Sequence, residues 1–269
     1  MSDLSNALRP LNELISLKGK VVVITGAASG IGKGMAFRFA EAGADLHLLD
    51  INMEGLEKVR SELSDFNVKV ALYGVDLSKK KDIDSFWEEL QGDLDILINN
   101  AGIYTFKDFL EVDEEFLERA MIINTYSVLW MCQHFIKRRK GKGGVIINVS
   151  SIEAILPFAK GLVHYDVSKA GVIALSRALA REYGKEGFRV NVLVPGGIET
   201  ESVKKLKTET IFKLKMDVIQ SGKQFYSRLP IGRMGKPDEV ALVALFLASD
   251  LSTYVHGALI PVDGGFLST

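Results

Sequence analysis

Short apolar runs alternate along this chain with longer amphipathic stretches, and no other feature limits its fold as much. Val21 to Thr25, Asp45 to Asp50, Val68 to Tyr73, Leu94 to Asn99, Val145 to Val149, Arg189 to Val194 and Leu259 to Val262 read as strands. Helical spacing between them predicts helices over Ile31 to Ala42, Met53 to Leu63, Lys80 to Leu90 and Asp113 to Arg138. Two more follow, one carrying Tyr165 and one over Asp238 to Ala248 with Pro237 at its first turn. Strands that are apolar almost throughout belong to a parallel sheet covered on both faces, so the expectation is a doubly wound α/β domain. No Pro/Ser-rich linker divides it, and residues 18–269 are expected to form one domain.

Residues 1–17 precede the first strand as an N-terminal extension. Leu8, Leu11, Leu14, Ile15 and Leu17 recur there at near-helical spacing and call for a covering surface on this domain or on a second copy. A lysine-rich segment over about 200–229 also carries Leu206, Phe212, Leu214, Val218 and Phe225, the mixture expected of an amphipathic lid over a substrate. Charged residues make up 25% of the chain, and the formal net charge is −1, which gives no electrostatic footprint for nucleic acid or an anionic membrane. The basic run Lys137-Arg138-Arg139-Lys140 falls where a helix should end, a place that favours cations. Cys132 is the single cysteine and is expected as a buried helix residue. No apolar stretch approaches a membrane span, and the N-terminus has no secretory core, so the cytoplasm is the expected compartment.

The stretch Thr25-Gly26-Ala27-Ala28-Ser29-Gly30-Ile31-Gly32 lies between the first strand and the first long helix. Glycines at 26, 30 and 32 permit a tight turn whose N–H groups face a pyrophosphate at the helix N-terminus. Asp50 ends the second strand, where a carboxylate accepts the hydroxyls of an adenosine ribose and repels a 2′-phosphate, so the expected cofactor is NAD. Tyr165 and Lys169 stand one helical turn apart on one face. A phenol titrates near 10, and moving it down by about three units takes roughly 4 kcal/mol of preferential stabilisation of the phenolate, for which a neighbouring ammonium is a suitable source.

With Asn99-Asn100-Ala101-Gly102, Ser151 and Pro195-Gly196, these motifs make residues 18 to 266 resemble the short-chain dehydrogenase/reductase family. The resemblance implies a single-domain Rossmann fold with a seven-stranded parallel sheet in the order 3-2-1-4-5-6-7. It implies that Ser151 polarises the substrate oxygen, Tyr165 transfers the proton, Lys169 lowers the tyrosine pKa, and Asn124 holds a water in a proton relay. It places Gly26, Ser29, Gly30, Ile31, Gly32, Asp50, Asp76, Leu77, Asn99, Ala101, Gly102, Tyr165, Lys169, Pro195, Gly196, Ile198 and Thr200 around the cofactor, with no metal. Ser29 and Ile51 stand where NADP-using relatives often carry a cation. The activity implied is interconversion of a secondary alcohol and a ketone. A sugar 1-dehydrogenase, a 3-oxoacyl carrier-protein reductase and a non-catalytic NAD-binding redox sensor are the alternatives. Small-molecule substrates and assembly as a homotetramer, with a dimer second, complete the expectation. His164 reads as packing or pocket lining, and Glu153 as either a ligand for a polyol or a group facing water.

Overall fold

The computed structural model describes residues 8–201, 203 and 225–269. Seven strands form one sheet: β1 (Val21–Thr25), β2 (Asp45–Asp50), β3 (Val70–Gly74), β4 (Ile96–Asn99), β5 (Gly144–Val149), β6 (Phe188–Pro195) and β7 (Leu259–Val262). Their order is β3-β2-β1-β4-β5-β6-β7, with every pairing parallel. All seven carboxyl ends therefore lie along one edge, and β1 and β4 leave a crevice there because the chain winds outward from them in opposite directions.

The helices are α1 (Leu11–Ile15), α2 (Gly30–Glu41), α3 (Met53–Glu62), α4 (Lys80–Glu89), α5 (Glu114–Met121), α6 (Ser127–Arg138), α7 (Val163–Tyr183) and α8 (Pro237–Ala248). Successive strand side chains point to opposite faces, so β1 sends Val22 and Ile24 to one helical layer and Val23 to the other. The first layer packs Met35 and Phe39 of α2 with Ala241 and Ala244 of α8. Arg38 clamps the two helices by a bidentate pair with Asp238, at 2.6 and 2.8 Å. The second layer packs Phe86 and Trp87 of α4 with Met131 and Phe135 of α6 and Val172 of α7.

Two expected boundaries shift for local reasons. Val68 and Lys69 belong to the turn before β3, where Lys69 donates its N–H to the Asp45 carboxylate at 2.8 Å. Leu94 and Asp95 precede β4, and the Asp95 carboxylate accepts the Val21 N–H at 3.0 Å. The expected long helix over Asp113 to Arg138 is present as unbroken helical backbone from Glu114 to Arg138, but it is not α-helical throughout. Asp113 caps α5 by accepting the Phe116 N–H at 2.8 Å, but a π-helical turn over Ile122–Tyr126 separates α5 from α6.

At the end of α6 the basic run has specific partners. Arg138 donates to the carbonyls of Leu90 and Gly92, both at 2.7 Å, while the buried Arg139 donates to the Gly143 carbonyl at 2.7 Å and pairs with Asp93 at 3.0 Å. These contacts tie α6 to the segments that enter β4 and β5. Cys132 is buried, as expected. The described part of the N-terminal extension folds back on the domain: Leu17 enters the core, and Arg9 pairs with Asp250 at 2.6 Å. Most of the expected lid lies outside the described residues. Among the described residues no helix is long and apolar enough to cross a membrane.

Candidate active site

A cleft of about 1420 Å³ follows the carboxyl edge of the sheet. Its floor is the turn from β1 into α2. Gly26 and Gly30 adopt positive φ angles of 68° and 55°, which favour glycine. A Cβ on Gly32 would stand 2.1 Å from the Gly26 carbonyl oxygen, and one on Gly26 would stand 2.9 Å from the Ala101 Cα. The turn thus closes on itself and on the end of β4 through glycine alone. Asn100 holds that closure, its side-chain amide donating to the carbonyls of Thr25 and Gly26 at 3.0 and 3.2 Å. The Thr25 hydroxyl accepts the N–H groups of Asn100 and Ala101 at 3.0 and 3.1 Å.

Gly26, Ser29, Gly30 and Ile31 line the cleft, whereas Gly32 works behind them by permitting the close approach. Asp50 lines it at the end of β2, half-buried and accepting the N–H groups of Ala28 at 3.1 Å and Asn52 at 3.0 Å. Asp76 and Leu77 follow beyond β3. The Asp76 carboxyl is held below its ordinary range, first by the Ser78 hydroxyl and then, after opposing burial, by Lys79. Ala101 and Gly102 line the middle, and Pro195, Gly196, Ile198 and Thr200 the far wall.

The expected role of Asn99 needs correction. Asn99 is buried away from the cleft, its amide donating at 2.8 Å to Asn148 on the adjoining strand, and its neighbour Asn100 lines the cleft instead. Asn148 in turn donates to the Ser176 hydroxyl of α7 at 2.8 Å.

Tyr165 and Lys169 on α7 meet Ser151, beyond β5, at the inner end of the cleft. Ser151 hydrogen-bonds the Tyr165 phenol and favours its ionised form, while the Ser150 hydroxyl is turned aside, donating to the Lys169 backbone carbonyl at 2.9 Å. Tyr104 packs its ring edge-on to Tyr165, with centroids 4.9 Å apart. Lys169 is 4% exposed and donates to the Val149 carbonyl at 3.0 Å. Asn124 is fully buried in the π-helical turn. Its oxygen accepts the Ile103 N–H at 2.8 Å, and its amide donates to the Ile103 carbonyl at 3.1 Å and the Ser168 hydroxyl at 3.0 Å. A Cβ on Gly102 would approach both the Asn124 oxygen, at 3.1 Å, and the Lys169 ammonium, at 3.2 Å.

The electrostatics of the chain alone run opposite to the lowering expected at Tyr165. The phenol of Tyr165 is pushed above its ordinary value by burial, which outweighs the opposing Ser151 hydrogen bond, and Glu153 and Asp166 reinforce the rise. Lys169 is itself drawn down to about 8 by burial. Within the chain alone, burial sets the direction for both groups, against the phenolate and against the ammonium.

Glu153 does not face water. It is 2% exposed, one carboxylate oxygen accepts the Phe158 N–H at 3.0 Å, and burial pushes the group up to about 7. His164 is packing: its Nε2 meets the Thr105 carbonyl at 2.8 Å, and its ring packs edge-on against Phe116. The aromatic wall made by Tyr104, Phe106, Phe158 and Phe225 had no signature in the sequence, because Phe158 and Phe225 come from segments far along the chain from Tyr104 and Phe106. Among the described residues no cluster of His, Cys, Asp or Glu is arranged to hold a metal.

A glycine turn at a helix N-terminus, opening on the switch point of a parallel sheet beside a buried Tyr/Lys pair, is the plan of a dinucleotide-dependent oxidoreductase. The model of a protein family described as enoyl-(acyl carrier protein) reductase matches residues 26–267. The 3-oxoacyl-[acyl-carrier-protein] reductase of Thermotoga maritima is 38% identical over 93% of this chain and 99% of its own. The 2-dehydro-3-deoxy-D-gluconate 5-dehydrogenase of Escherichia coli is 34% identical over 94% of this chain and 97% of its own. A solved NAD(P)-dependent gluconate 5-dehydrogenase homologue from Beutenbergia cavernae, with bound NADP, superimposes with a TM-score of 0.86 at 30% identity, covering 95% of this chain and all (100%) of that one. The chain belongs to the short-chain dehydrogenase/reductase family.

Burying the Lys169 ammonium should carry a measurable stability signature. Below about pH 8 the side chain is charged in both folded and unfolded states, and the fold bears the full desolvation of the ammonium. Between about 8 and the ordinary lysine value the unfolded chain binds more protons, so wild-type stability should rise with pH through that window. Lys169→Met should accordingly raise the unfolding free energy at pH 7 by about 1–3 kcal/mol, with the advantage fading toward pH 10.5. Urea denaturation at several pH values reads this directly. A variant less stable than wild type at pH 7 would show that the bond to Val149 outweighs the desolvation.

Proposed function

We propose that this protein is an NAD-dependent oxidoreductase interconverting a secondary alcohol and a ketone. Tyr165, Ser151 and Lys169 act at the reacting carbon–oxygen bond, and Asn124 is a positioning residue. The glycine cradle fits a dinucleotide, because Gly26, Gly30 and Gly32 bring backbone to the N-terminus of α2 where any side chain would intrude. A nicotinamide held there would supply hydride exchange with the carbinol carbon. Ser151 donates a hydrogen bond to the substrate oxygen and holds it against the Tyr165 phenol. In the oxidation Tyr165 takes the hydroxyl proton, and in the reduction it returns one. The phenol's raised value leaves it protonated within the chain alone, so the proton-accepting form draws on the positive charge of the oxidised cofactor as well as that of Lys169. Asn124 fixes the loop after β4 through Ile103 and so sets the distance between Gly102 and Lys169.

Tyr165→Phe removes the proton carrier and leaves the cradle intact. NADH affinity should stay within about threefold of wild type by fluorescence titration, while turnover of every accepted alcohol falls by at least about 10²-fold. A variant retaining a sizeable fraction of activity would sink this mechanism. A redox sensor would instead show no turnover in the wild type.

The observation that carries the choice of NAD is Asp50, set at the end of β2 and steadied by the Ala28 N–H. Exposed Ile51 follows it, and Lys33, in the first turn of α2, is paired with Glu62 at 2.7 Å. Like charges about 4 Å apart repel by roughly 4 kcal/mol at an effective dielectric near 20, and screening reduces this. Discrimination against NADP of about 10²-fold is therefore expected, at about 1.4 kcal/mol per decade. The solved relative with NADP bound at low occupancy has the same fold, so the choice of NAD here rests on Asp50 and its surroundings. Asp50→Ser combined with Ile51→Arg should lower catalytic efficiency with NAD and raise it with NADP. Comparable efficiencies with both cofactors in wild type would defeat the assignment.

Assembly as a homotetramer, with a dimer second, belongs to the same reading. Leu117, Tyr126, Val163 and Val167 lie exposed along α5, the π-helical turn and α7, an apolar face suited to a second copy. A monomeric mass by light scattering at micromolar concentration would remove it.

A further inference from the structure

Among the described residues, Glu153 carries a buried carboxylate oxygen, Oε1, that has no hydrogen-bond partner. The side chain is 2% exposed and lines the inner end of the cleft. Buried polar groups are ordinarily paired, and an orphaned acceptor in a cleft marks a contact completed by what the cleft takes. The carboxylate is also held rigidly. Ser151 caps the short turn over Ile152–Ala154, its hydroxyl accepting the Glu153 N–H at 3.2 Å, and the second oxygen, Oε2, accepts the Phe158 N–H at 3.0 Å. The lining also carries Ile152, Phe158, Phe225 and Met234, which belong to one apolar cluster.

We infer that Glu153 binds a second hydroxyl of the substrate, on the carbon next to the reacting one, and that the natural substrate class is a neutral vicinal diol or hydroxy ketone with a bulky apolar body. This rests on the oxidoreductase reading above. The neighbouring position rests on the turn itself, since the Ser151 hydroxyl accepts the Glu153 N–H at 3.2 Å and both side chains line the cleft with Tyr165. Neutrality follows from charge. Asp166, half-buried on α7 with its own unpartnered oxygen, adds a second carboxyl whose field reaches Glu153, so an anionic group beside the carbonyl would meet two acids. A hydroxyl suits a carboxyl that titrates near neutrality, because it donates to the ionised form and accepts from the protonated one.

The matched probes are cis-1,2-cyclohexanediol and cyclohexanol. Oxidation of the diol by NAD gives 2-hydroxycyclohexanone and NADH, with the hydride leaving the carbinol carbon and the hydroxyl proton passing to Tyr165 and then to solvent. The wild-type kcat/KM for the diol should exceed that for cyclohexanol by at least tenfold, equivalent to about 1.4 kcal/mol. Glu153→Leu should bring the ratio to within about threefold of unity, mainly through KM for the diol. Glu153→Ala provides a second truncation should leucine disturb the fold. Glu153→Gln, which keeps an acceptor for Phe158 and a free amide, should retain most of the ratio. A residue that merely braces the loop would lower both substrates together and leave the ratio intact in all three variants, which would overturn the assignment, as would a wild-type ratio near one. Calorimetric titration of both alcohols into NADH-saturated protein separates the two claims. Preferential diol binding without turnover sinks the oxidoreductase reading and supports Glu153. Turnover of cyclohexanol without diol preference sinks the role of Glu153 alone, and absence of diol binding overturns it.

Discussion

The contact between Gly32 and the Gly26 carbonyl, bridged by the Asn100 amide, fixes where everything else stands. It seats the N-terminus of α2 on the end of β1 and binds both to the end of β4, across the point where the sheet changes its direction of winding. Since a Cβ at position 32 would lie 2.1 Å from that carbonyl, no rotamer adjustment could accommodate one. The Thr25 hydroxyl shares the task by accepting two N–H groups from the β4 end. The turn is thus a short junction, hydrogen-bonded between two strands, that presents the N-terminus of α2 to the cleft.

A second constraint works against the first. The cleft buries a phenol, an ammonium and a carboxyl in one lining, and burial penalises the charged form of each. The fold tolerates this through backbone partners: the Val149 carbonyl for Lys169 and the Phe158 N–H for Glu153. Stability is held elsewhere, in the two apolar layers on either side of the sheet and in the Arg38 and Arg139 ties.

Much of this was legible in the sequence because it is local. Strand and helix order follow from periodicity, the glycine turn from spacing, and the shared face of Tyr165 and Lys169 from helical geometry. The parts that were not legible depend on neighbours distant in the chain. Asn99 and Asn100 are identical in type, and only the presence of Asn148 on the next strand and Cys132 beneath decides which one turns inward. The raised value of Tyr165 is a desolvation effect produced by the assembled cleft, invisible to a reading that pairs it with Lys169 alone. Glu153 looked equally suited to water until the turn over Ile152–Ala154 carried it under Phe158. The π-helical turn contains neither glycine nor proline to announce it.

That turn bears on how the long helical segment serves two masters. One extra residue over Ile122–Tyr126 advances the helical phase by about 100° relative to an uninterrupted α-helix. Upstream, α5 addresses α7 through Phe116 against His164, while downstream α6 addresses α4 and the sheet through Met131 and Phe135. A single continuous stripe could not meet both partners, and the offset acts as a gear between them, with Asn124 at its pivot. Excising one residue there would rotate the two halves out of mesh with all the flanking side chains unchanged, whereas a substitution at the exposed Tyr126 would leave the phase as it is.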